Sequence, residues 1–103
     1  MANGPMRLGD RVEKVRSKNA GPFWLTIDIF CGSKEVFKDL RDRLETGTIA
    51  NALNADEMIL RRFDIESLNV IKFSLPRPAV QGSIADRDMH GASFGALIAE
   101  IEL

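Results

Sequence analysis

The chain has 103 residues, enough for one hydrophobic core and too few for two. Its 14 basic and 15 acidic side chains leave a net charge of -1, which excludes a global field able to hold nucleic acid or an anionic membrane. Hydrophobic residues at 45% and charged residues at 28% are the mixture of a folded globule rather than of a disordered tail.

In chain order, residues 1–6 have turn composition and read as a flexible N-terminus, ahead of a single α+β domain over residues 7–103. Met1 to Arg16 is polar and lacks the apolar stretch of a signal peptide. No later run approaches the roughly 18 apolar residues of a membrane helix, so a cytoplasmic location is expected. Leu8 to Lys14 reads as a short helix or turn. The stretch Arg16-Ser17-Lys18-Asn19-Ala20-Gly21-Pro22 then reads as a dense polar loop at the mouth of a strand.

That strand spans Phe23 to Cys31, with Phe23, Leu25, Ile27, Ile29 and Cys31 on one face and Trp24, Thr26, Asp28 and Phe30 on the other. Both faces are largely apolar, as in an interior strand covered on both sides. A lone Cys31 cannot form an internal disulfide and reads as a small buried hydrophobe.

Ser33 offers an N-cap, and Val36, Phe37, Leu40 and Leu44 fall along one helical face, predicting a helix that closes near Gly47. Ile49 to Leu53 suggests a further short helix before a turn at Asn54-Ala55-Asp56. Met58 to Ile65 and Leu68 to Leu75 read as strands whose short polar break favours antiparallel pairing. Pro76-Arg77-Pro78 ends the second of them, residues 82–91 form a polar connection, Ala92 to Ile98 a helix, and Ala99 to Leu103 a final strand.

These elements predict an α+β two-layer sandwich, a mainly antiparallel sheet with helices on one face, in a ferredoxin-like variant. The face carrying Trp24 and Phe30 then lacks a cover, which predicts a partner or an oligomer interface there.

Candidate ligand-binding residues are Arg16, Ser17, Lys18 and Asn19, whose cations, hydroxyl and carboxamide suit a carboxylate or phosphate. The competing reading is a solvated connector in which Ser17 and Asn19 satisfy local backbone groups. Asp28, a carboxylate in mid-strand, needs a partner: either a structural ion pair, or a role as general base or ligand contact. Arg77, held between prolines and followed by Gln81-Gly82-Ser83, reads as a clamp on a ligand or partner.

Asp86, Asp88 and His90 lie close enough together to suggest a cation, yet they lack the further ligands of a closed site, so no metal is assigned. Without a Gly-x-Ser-x-Gly elbow or a phosphate-binding glycine loop, no cofactor and no nucleophilic catalysis are implied.

The segment from Val15 to Phe30 resembles a family of small single domains found beside, or fused to, proteins of the acyclic terpene utilisation AtuA type. Ile71-Lys72-Phe73-Ser74-Leu75-Pro76-Arg77-Pro78, with Gln81-Gly82-Ser83, Asp86 and Asp88, is similar to the same pattern. The small C-terminal domain of AtuA proteins is a more distant likeness, its Arg-Ser-Gly-Asp-Lys-Gly replaced here by Arg16-Ser17-Lys18-Asn19-Ala20-Gly21. The resemblance implies a small accessory companion of a larger AtuA-type protein acting on organic acids or acyl thioesters, including acyl-CoA. The alternatives are a stand-alone hydratase, dehydratase or isomerase using Asp28 or His90, and a structural homo-oligomer.

Overall fold

The computed structural model describes residues 6–21, 23–76 and 92–103. It opens with α1 (Leu8–Arg11), shorter than the helix expected to Lys14 because Val12 is already extended. The next segment departs from the sequence reading: the expected polar loop is a strand, β1 (Lys14–Ala20). Its polar residues alternate in period two, and that rhythm fits an edge strand whatever the polarity of the letters.

β1 pairs antiparallel with β2 (Trp24–Phe30), from Lys14 opposite Phe30 to Ala20 opposite Trp24. Gly21 and Phe23 lie in the turn between the strands, and Gly21 has φ +74, a left-handed value that a side chain would strain. The expected alternation of β2 holds, with Leu25, Ile27 and Ile29 fully buried on the inner face.

Ser33 caps α2 (Lys34–Arg43), its hydroxyl accepting from the Val36 N–H at 3.2 Å. The helix ends before the expected Gly47, which lies inside the following α3 (Thr46–Leu53). Asn54 closes α3 with φ 55, a conformation asparagine tolerates better than most residues.

A 3₁₀ turn at Glu57–Ile59 replaces the start of the expected third strand, leaving β3 (Arg61–Ile65). A second 3₁₀ turn, Glu66–Leu68, leads into β4 (Val70–Pro76), and the two strands pair antiparallel as expected. The last helix, α4 (Ala92–Ala99), runs to Ala99, so the expected strand from Ala99 shrinks to one bridge between Arg7 and Glu102.

The sheet is four-stranded in the order β1-β2-β4-β3, every neighbouring pair antiparallel. Leu25, Ile27 and Ile29 of β2 with Ile71, Phe73 and Leu75 of β4 meet Phe37, Leu40, Ile49, Leu53, Phe94 and Ile98 from the helices in one core. This is the expected two-layer α+β sandwich. Its element order, α-β-β-α-α-β-β-α among the described residues with the 3₁₀ turns left aside, varies on the β-α-β-β-α-β order of ferredoxin-like folds by placing a helix pair between two strand pairs.

Among the described residues no helix is long and apolar enough to cross a membrane. Residues 1–5 of the expected flexible N-terminus lie outside the described residues, while the carbonyl of Met6 accepts from the Leu103 N–H at 3.0 Å.

Candidate functional site

The alternation of β1 divides the residues that the sequence grouped together. Ser17 and Asn19 sit opposite Ile27 and Leu25 and so face the helix layer, whereas Arg16 and Lys18 sit opposite Asp28 and Thr26 on the outer face. Ser17 is buried, and its Oγ accepts a 2.7 Å hydrogen bond from the Gly95 N–H in the first turns of α4. That bond ties the first turns of α4 to the inner side of β1. The structure brings Arg16, Lys18 and Asp28 together and sets Ser17 and Asn19 beneath them. Arg77, Asp86, Asp88 and His90 lie outside the described residues.

The strand register arranges the outer face in rows across β1, β2, β4 and β3. One row reads Arg16, Asp28, Lys72 and Phe63, and the next reads Lys18, Thr26, Ser74 and Arg61. Rows of Phe30, Val70 and Ile65 on one side and of Trp24 and Pro76 on the other bound this polar centre. Lys72, Ser74, Arg61 and Phe63 escape a reading of the sequence by segments. Their signal is the period-two alternation of β3 and β4, which identifies a shared face only once the register is known.

Asp28 is the centre of the arrangement. Its side chain is only 8% exposed, with Arg16 Nη2 3.7 Å from Oδ2 and Lys72 Nζ 3.7 Å from Oδ1. Those separations keep the charges paired but lie beyond hydrogen-bond length. Oδ1 is buried without a hydrogen-bond partner among the described residues. The guanidinium of Arg16 lies 5.5 Å from the centre of the Phe30 ring and the ammonium of Lys14 lies 5.8 Å from it, so the ring steadies both cations. Trp24 is 40% exposed and Phe63 47%, a large apolar surface beside the charges.

Chemically the face can receive an anion, because Lys14, Arg16, Lys18, Arg61 and Lys72 outweigh the one carboxylate on these rows. It can also bury an apolar contact at either end. Inside the sheet the chemistry is closed: Cys31 is buried, and burial pushes its thiol up to about 11, so little nucleophilic thiolate exists near neutral pH.

Comparison with curated proteins and with solved structures finds no match. The family model described as Domain of unknown function (DUF4387) matches residues 8–102, nearly the whole chain, and the chain therefore belongs to that family.

Proposed function

We propose that this chain is an accessory subunit that docks onto a larger protein through the face of its sheet opposite the helices. In this reading it lends Arg16, Lys18 and Lys72 to a shared site for an organic acid or an acyl thioester. The observation that carries it is the contrast between the faces among the described residues: helices pack on one, while the other, though Thr26, Asp28 and Val70 are buried on it, leaves Trp24 and Phe63 exposed beside a cluster of cations. Exposed aromatic side chains next to arginine are the composition of interface anchors rather than of ordinary surface. The resemblance of Val15 to Phe30 and of Ile71 to Pro78 supports an AtuA-type protein as the larger partner.

Co-expression with an AtuA-type protein from the same source, followed by size-exclusion chromatography, tests the proposal. Co-elution is expected, and Trp24→Ala should weaken the complex roughly 30-fold, as removal of a central aromatic anchor costs about 2 kcal/mol. A folded monomer that passes through independently of that protein would overturn the reading.

A further inference from the structure

We infer that the row Arg16, Asp28 and Lys72 receives a hydroxycarboxylate, with the ligand hydroxyl donating to Asp28 Oδ1 and its carboxylate lying between Arg16 and Lys72. The inference rests on the anion site proposed above and names its ligand class. It starts from Asp28, because an ionised carboxylate only accepts hydrogen bonds, and this one is nearly closed to solvent with Oδ1 unbonded among the described residues.

A ligand that satisfies Oδ1 must bring a donor. A ligand that enters between Arg16 and Lys72, each 3.7 Å from the carboxylate, must also bring negative charge. A bare carboxylic acid at neutral pH has the charge and no donor. An amino acid has both, yet its ammonium, though drawn to Asp28, would add a third cation to a row that already pairs that one carboxylate with Arg16 and Lys72. A hydroxyl beside a carboxylate is the combination that meets every group at once.

Lys72 is the group that must move. Its side chain is 38% exposed and its Nζ is held at 3.7 Å by charge alone, so it can swing from Asp28 to the ligand carboxylate and uncover Oδ1 as it leaves. The flexible stem of lysine suits that exchange, whereas Arg16 stays anchored by the Phe30 ring. No covalent step is involved.

Malate, succinate and aspartate differ at one carbon, which carries a hydroxyl, a hydrogen or an ammonium, and they are the probes. Each is titrated into the isotopically labelled chain while backbone resonances of residues 16, 28 and 72 are followed. Malate is expected to bind about tenfold more tightly than succinate, the worth of one hydrogen bond to a charged acceptor, with aspartate weakest. Asp28→Ala should erase the preference for malate while succinate binds as well or better.

Arg16→Gln, at an exposed position that leaves the core intact, should weaken both malate and succinate. Equal affinity for malate and succinate, tightest binding of aspartate, or no response at residues 16, 28 and 72 would each overturn the inference. Co-elution with the larger protein, measured without acid, separates the two readings. Docking without hydroxyl discrimination removes the ligand class alone, and discrimination without docking removes the accessory role alone.

Discussion

Burial raises the Cys31 thiol from 9.0 to about 11, so the protonated form is the one the folded chain favours. Its contribution to stability is therefore intact below pH 9.0 and is lost as pH rises from there through about 11. At about 1.4 kcal/mol per unit the loss reaches at most about 3 kcal/mol. Urea unfolding at neutral pH and across that interval is expected to show the decline in the native chain and a flatter profile in Cys31→Ala. Matching slopes in the two proteins would assign the decline to other groups.

The burial of Cys31 was legible from its place at the end of an apolar strand. The function of Ser17 was not, because its acceptor role depends on Gly95, which is 78 residues away in sequence. A hydroxyl that reads as a ligand contact serves here to hold a helix onto the first strand.

Among the elements, β3 is tied to the helix layer by the side chain of Arg62. Arg62 is 16% exposed, lies 5.6 Å from the centre of the Phe73 ring, and donates to the carbonyls of Leu44 at 2.5 Å and Arg41 at 3.2 Å. These are carbonyls at the C-terminal end of α2, which lack N–H donors within the helix. Asp64 Oδ1 holds the guanidinium at 2.9 Å from its other side.

Arg62→Ala should cost about 2 kcal/mol in urea unfolding, and Arg62→Lys should recover little, since an ammonium cannot reach several acceptors in a plane. An unchanged midpoint in the alanine variant would make the contact incidental. Helix α2 itself was legible, because Ser33 and the spacing of Val36, Phe37 and Leu40 are local signals. Strand β1 was not: Arg16, Lys18 and Asn19 look like a loop until the pairing with β2 supplies the reason for their alternation. The Glu57–Ile59 turn was likewise hidden, because Met58 and Ile59 carry a strand-like composition into a 3₁₀ segment.

For the whole molecule, the net charge of -1 conceals a segregation in which Lys14, Arg16, Lys18, Arg61 and Lys72 gather on one face of the sheet. Docking through that face should weaken as salt rises even though the chain is slightly acidic overall. Calorimetric titration of the larger protein at low and high ionic strength is expected to show a several-fold loss, and equal affinities would remove these cations from the interface. The two-layer architecture was readable from the mixture of elements. The rows of the site were not, because they are a property of register rather than of any one segment. Gly95 has a consequence for those rows. A Cβ there would lie 3.2 Å from the Ser17 amide nitrogen and 3.4 Å from the Val15 carbonyl oxygen, so even a methyl group would act as a wedge under the first strand. Lifting that strand would tilt Arg16 and Lys18 away from Asp28, which means that a position on the hidden side of the sheet, touching no ligand, sets how well the exposed side can grip one.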